Sequence, residues 1–173
     1  MDSIKITSGK FRGQAIKSPG SKLTHPMGSR EKLALFNMIS EYLPDAKVLD
    51  AYAGSGALGI EALSRGAEEV VFVEKSPKIS RIIRENLESL GLKSKVYTED
   101  TAKFTADETF DIIIADPPYD NFGIDGVKNI TKFLEKDGVF VLSHPSEAPE
   151  IENLELQKTN KYARAFISIY KPC

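Results

Sequence analysis

The chain has 173 residues, 41% hydrophobic and 28% charged, which fits one domain with a sizeable core and excludes a disordered or fibrous protein. No apolar run approaches membrane-spanning length, the start Met1-Asp2-Ser3-Ile4-Lys5 lacks the features of a secretory leader, and the single cysteine, Cys173, has no internal partner. A cytoplasmic protein without disulfides is expected. The net charge of −2 hides a split: residues 1–40 carry seven basic residues against Asp2 and Glu31, while the rest of the chain is acidic, so a polyanion should meet the N-terminal segment first.

Residues 1–43 read as a basic extension. Ile4 to Thr7 and Gln14 to Lys17 predict short strands around the turn Gly9-Lys10-Phe11-Arg12-Gly13, a hairpin. From Ser29, Leu33, Phe36, Ile39 and Leu43 recur at helical spacing until Pro44 stops the run. Residues 44–173 then alternate short apolar runs with helical stretches. Strands are expected at Ala46–Leu49, Val70–Val73, Ser94–Thr98, Phe110–Ala115 and Gly138–Leu142, and helices at Ala57–Arg65, Pro77–Leu90 and Ile124–Leu134. Leu154–Lys158 and Arg164–Tyr170 follow one another with no helix between them, the pattern of an antiparallel hairpin. The expected fold class is α/β: a doubly wound, mostly parallel seven-stranded sheet ending in an antiparallel hairpin.

Val48-Leu49-Asp50-Ala51-Tyr52-Ala53-Gly54-Ser55-Gly56-Ala57-Leu58-Gly59 places a G-x-G-x-x-G string between a strand and a helix, and Glu74 stands 20 residues beyond Gly54, where an acid can bind ribose hydroxyls. By letter this is a dinucleotide site. Asp50 argues otherwise, because a carboxylate at the mouth of the first strand repels a pyrophosphate and attracts the ammonium of S-adenosylmethionine. Asp100, after the third strand of the alternating region, can accept an adenine amino group or simply cap a turn.

The strand Phe110–Ala115 runs directly into Asp116-Pro117-Pro118-Tyr119, at the edge of an α/β sheet where ligands bind. Two prolines remove two backbone donors and stiffen the chain, leaving the carbonyls of Asp116 and Pro117 as fixed acceptors. An amine with two hydrogens needs such acceptors, and Tyr119 can stack on an unpaired base.

Together these parts resemble the class I methyltransferases, and within them the RsmD family, which methylates the guanine amino group of small-subunit ribosomal RNA. The likeness runs through Gly9-Lys10-Phe11-Arg12-Gly13, Thr24-His25-Pro26, Arg30, Ala34-Leu35-Phe36-Asn37, the glycine loop, Glu61-Ala62-Leu63-Ser64-Arg65-Gly66-Ala67, Val73-Glu74-Lys75 and Asp116-Pro117-Pro118-Tyr119. It implies S-adenosylmethionine held by Asp50, Tyr52, Ala53, Gly54, Ser55, Gly56, Glu74, Lys75, Asp100 and Thr101. It also implies a catalytic turn of Asp116, Pro117, Pro118 and Tyr119, RNA contacts from Lys10, Arg12, Arg30 and Asn37, and no metal. By the same likeness residues 1–43 serve RNA contact and 44–173 catalysis, in a monomer acting on ribosomal RNA within the small subunit or its assembly intermediate. Where the family usually has Arg-Pro-Thr-Thr-Asp this chain reads His25-Pro26-Met27-Gly28-Ser29, and an acid often found after the fifth strand is replaced around Ser143. An adenine-N6 methyltransferase acting on DNA or RNA and a non-catalytic RNA-binding module are the alternatives.

Overall fold

A computed structural model describes residues 2–20, 27–163 and 165–173. The hairpin pairs β1 (Ser3–Lys5) with β2 (Ala15–Lys17), Ile4 opposite Ile16. Helix α1 (Ser29–Met38) follows. The alternating region comprises β3 (Lys47–Asp50), α2 (Ala57–Ser64), β4 (Glu69–Glu74), α3 (Pro77–Ser89), β5 (Val96–Thr98), β6 (Phe110–Ala115), α4 (Ile124–Ile130) and β7 (Leu134–His144). Strands β8 (Leu154–Lys161) and β9 (Phe166–Pro172) close it.

The seven-stranded sheet has the order β5-β4-β3-β6-β7-β9-β8, with the first five strands parallel and β9 antiparallel to both β7 and β8. The expected doubly wound sheet and closing hairpin are both present. Chain direction across the sheet reverses between β3 and β6, the crevice where ligands of such sheets bind. Alternate residues serve opposite faces: Val48, Phe72 and Ile114 join one core with α1, α2 and α3, while Leu49, Val71 and Ile113 join another with Phe104, Val127 and Ile130.

One helix is shorter than its periodicity implies. The pattern predicts a helix over 124–134, but α4 ends at Ile130, a 3-10 turn takes Thr131–Phe133, and Leu134 already pairs with Phe110. Pairing with β6 outweighs one more helical turn there, and the register shift between Phe110 and Ile112 accommodates the early start of β7.

The N-terminal extension is fastened to α2. Ile6, Phe11, Ile16, Leu35 and Phe36 lie in the same core as the sheet. The Lys10 and Phe11 N–H groups donate to the carbonyl and Oγ of Ser64 at 2.8 and 2.9 Å. Gly9, at φ +83°, approaches so closely that a Cβ there would stand 1.9 Å from the Ser64 carbonyl oxygen. Buried Glu61 accepts from the Thr7 N–H and hydroxyl, the Ser8 N–H and Arg65 Nε, and faces Lys32 Nζ at 3.3 Å. Burial pushes the Glu61 carboxyl pKa up, but the Thr7 and Arg65 hydrogen bonds and the Lys32 charge bring it below its ordinary value.

Candidate active site

The first part of the site forms where β3 and β4 end. Asp50, the last residue of β3, is 1% exposed, and its Oδ2 accepts from the Gly59 N–H at 2.9 Å, tying the strand to the first turn of α2. The chain between them turns through Gly54 and Gly56 at φ +56° and +85°, conformations that disfavour a side chain. Glu74, ending β4, accepts from the Gly54 N–H at 3.1 Å and the Ser76 N–H at 3.2 Å, so it shapes the glycine loop while each oxygen retains acceptor capacity. Ala53 and Ser55 are buried in that loop, Tyr52 is half-buried, and Lys75 is exposed beside Glu74.

The end of β5 supplies the neighbouring wall. Asp100 accepts from the Ala102 N–H at 2.9 Å and so caps the 3-10 turn Thr101–Lys103; it is exposed, with a second carboxylate oxygen remaining. Thr101 is buried, its hydroxyl donating to the Ala51 carbonyl at 3.1 Å. Its observed work is to brace the exit of β3.

On the other side of β3, strand β6 delivers Asp116-Pro117-Pro118-Tyr119. Asp116 retains intermediate exposure, yet the protein around its carboxylate raises its pKa to about 6, with the nearby Ser143 hydroxyl pulling the other way. The hydroxyl of half-buried Tyr119 also bonds Ser143 Oγ. Ser143 has a single hydroxyl hydrogen. If it turns to the ionised Asp116, Tyr119 donates to Ser143, which ties the aromatic ring to the end of β7. Ser143 departs from the family pattern, and its position near the end of β7, beside β6, puts it in the site.

Two of the acids act on the third. Burial raises the Asp50 pKa to about 7 against the Gly59 hydrogen bond, and the charges of Asp116 and Glu74 push the same way. β4, β3 and β6 are adjacent, so their carboxyl ends create one negative crevice. A ligand with an ammonium and a sulfonium relieves that field, whereas a pyrophosphate worsens it. Among the described residues, no three His, Cys, Asp or Glu side chains converge as metal ligands. S-adenosylmethionine therefore fits the residues present.

The residues expected to meet RNA are dispersed. Arg30 opens α1 beside Glu31, whose charge bears on the Tyr119 phenol. Asn37 is exposed two turns further along α1, about 10 Å on. Lys10 and Arg12 are exposed on the hairpin turn docked at Ser64, the end of α2 away from the glycine loop, about 12 Å along that helix. The structure thus sets Arg30 at the start of α1 and Lys10 and Arg12 on the hairpin turn at the far end of α2, in separate places. His25, with Thr24 and Pro26, lies outside the described residues.

A family model described as conserved hypothetical protein 95 matches residues 4–171. A Bacillus subtilis protein provisionally described as the rRNA methyltransferase YlbH is 33% identical over 97% of this chain and 98% of its own length. The chain belongs to the RsmD family. The Escherichia coli ribosomal RNA small subunit methyltransferase D is 34% identical over 67% of the chain, a match spanning 60% of that protein's length. Among solved structures, an Escherichia coli protein provisionally described as methyltransferase yhhF superposes with a TM-score of 0.88 at 26% identity, covering 99% of this chain and 98% of the other. A Thermus thermophilus protein gives 0.81 at 30% identity, covering 97% and 99%. The RsmD-family match takes in the hairpin and α1 as well as the sheet.

Proposed function

We propose that the chain transfers the methyl group of S-adenosylmethionine to the exocyclic N2 amine of a guanine in small-subunit ribosomal RNA. The observation that carries this reading is the juxtaposition of Asp50, Glu74 and Asp116 at the ends of three neighbouring strands, with the donor-type acids on one side and the proline turn on the other. The relatives named for ribosomal RNA methylation supply the substrate class.

The bound donor supplies an electrophilic methyl group on a sulfonium. Asp50 holds the ammonium directly or through water, and Glu74 accepts from the ribose hydroxyls. Gly54, Gly56 and the loop residues Tyr52, Ala53 and Ser55 would let backbone approach the methionine part, and Lys75, Asp100 and Thr101 would complete the residues that hold the donor. An exocyclic amine is a poor nucleophile because its lone pair is delocalised into the ring. The Asp116 carboxylate and the Pro117 carbonyl accept its two hydrogens, localising the lone pair and aiming it. Asp116 is also the nearest base for the proton that the methylated amine sheds. Pro117 and Pro118 keep the turn rigid, and Tyr119, pinned by Ser143, stacks on the guanine.

Residues 1–43 serve RNA contact and residues 44–173 catalysis, with Lys10, Arg12, Arg30 and Asn37 meeting the substrate. The chain acts in the cytoplasm as a monomer, on ribosomal RNA within the small subunit or its assembly intermediate. A protein of this size has little surface for reading sequence, and a folded particle supplies shape instead. Among the described residues no helix is long and apolar enough to cross a membrane.

The test is incubation with labelled methyl donor and, separately, RNA, ribosomal subunits, DNA and protein, followed by nucleoside analysis. N2-methylguanosine in small-subunit RNA is the expected product. N6-methyladenosine, or label only in protein, rejects the assignment.

A further inference from the structure

The acidic middle of the chain is flanked by two basic ends. Besides the N-terminal set, residues 154–173 hold Lys158, Lys161, Arg164 and Lys171 against Glu155 alone. Register places one of these residues, Lys161, near the site. Ser143 of β7 lies opposite Ile167 of β9, and Phe166 lies opposite both His144 of β7 and Lys161 of β8. The β8–β9 connection therefore leaves the sheet at the edge that carries the catalytic turn. Two strand spacings, about 10 Å, separate Lys161 from the end of β7, where Ser143 holds Tyr119.

The start of α1 faces that connection. Arg30 and Glu31 form one wall of an open groove of about 620 Å³, and Lys161, Tyr162 and Ala163 form the other. Through Lys161 the groove lies at the same edge of the sheet as the base-holding turn. Tyr162 is positioned within it: its N–H donates to the Ala165 carbonyl at 2.7 Å, its hydroxyl accepts from Asn160 Nδ2 at 3.3 Å, and its ring is partly buried against the core.

We infer that this groove is a track for the single-stranded RNA flanking the target base, with the Tyr162 ring stacking on a neighbouring base and Arg30 and Lys161 contacting phosphates at its rims. The proposal rests on the RNA methyltransferase reading and adds an RNA contact made by the C-terminal hairpin. A positioned aromatic face between two cations is the arrangement that holds unpaired nucleotides. Glu31 in the wall repels phosphate, which confines the backbone to the cationic rims and leaves the groove to bases. An acidic peptide has the same repulsion from Glu31 and no flat group to place on Tyr162.

The test is fluorescence anisotropy of a labelled single-stranded RNA of about eight nucleotides with the full chain, its Tyr162→Ala and Tyr162→Phe variants, and an Arg30→Ala/Lys161→Ala double variant, over a range of salt. Tyr162→Ala should weaken binding about tenfold while Tyr162→Phe stays near wild type. The double variant should lower the salt-dependence slope by about 1.4, two phosphate contacts on a single strand. Calorimetric titration with the methyl donor, expected to be unchanged in every variant, shows that each remains folded. Wild-type affinity in Tyr162→Ala together with an unchanged salt slope in the double variant overturns the track, as does tighter binding of an acidic peptide than of RNA. Groove-dependent RNA binding by a chain that methylates no RNA leaves the track standing and rejects the enzymatic reading.

Discussion

At the residue scale the chemistry depends on acids kept out of water. Asp116 must be ionised to accept amine hydrogens, and its pKa of about 6 places the acid limb of the kcat/KM profile near pH 6. Ser143→Ala removes the hydroxyl that opposes this rise, so the limb should move to higher pH and turnover near neutrality should fall about tenfold, with Tyr119 freed. A pH profile superimposable on wild type would show that Ser143 only fills space. Asp116→Ala should lower turnover by about a hundredfold or more and leave donor affinity nearly unchanged, as calorimetry and single-turnover rates can establish. Asp50 has the opposite balance. Its folded pKa, about 7, lies above its unfolded value, so its contribution to stability is fully present below the unfolded pKa and is lost as pH rises through about 7. Asp50→Asn keeps an acceptor for the Gly59 N–H and sheds the charge. The variant should melt a few degrees higher than wild type at pH 8 without ligand, yet bind the donor at least tenfold more weakly. A melting temperature equal to or below wild type would count against the buried charge as a cost to the fold.

At the element scale, α2 does two jobs. Its first turn receives the Asp50 carboxylate at Gly59, and its last half holds the hairpin through Glu61 and Ser64. Glu61→Ala leaves Lys32, 5% exposed, and Arg65 without their carboxylate, and leaves the Thr7 and Ser8 donors unanswered. Breaking a buried ion pair of this kind costs about 3–5 kcal/mol, so urea unfolding should show a loss of that size. The Glu61 pKa is lowered in the fold, so its contribution is present above the unfolded pKa and disappears as pH falls through the folded one. The difference between wild type and variant should therefore shrink on acidification. The motif Glu61-Ala62-Leu63-Ser64-Arg65 was visible in the sequence as a family likeness, but its partner was not. Glu61 and Thr7 are 54 positions apart, and no local period connects them.

At the scale of the whole molecule, the extension and the sheet share one core: Ile6, Phe11, Ile16, Leu35, Phe36, Ile39 and Leu43 cover the face that carries Val48, Phe72 and Ile114. A chain of residues 44–173 alone would expose the part of that face the extension covers, and we expect it to show no cooperative melt by circular dichroism. A sharp transition would demonstrate that the extension is dispensable for folding. Most of this architecture was legible from the residues alone. The change from helical spacing to alternating strands and helices after Pro44, the glycine string before α2 and the proline turn after β6 are local signals, set by neighbours within a few residues. The doubly wound sheet, its hairpin and the acids at positions 50, 74 and 116 follow from them, because parallel strands place every strand end at one edge. Tertiary structure alone decided the end of α4, the link from Ser143 to Tyr119, the place of Lys10 and Arg12 at the far end of α2, and the meeting of Arg30 with Lys161. Each of these joins residues distant along the chain. Which of them touch is set by strand pairing and core packing, which periodicity and spacing do not encode.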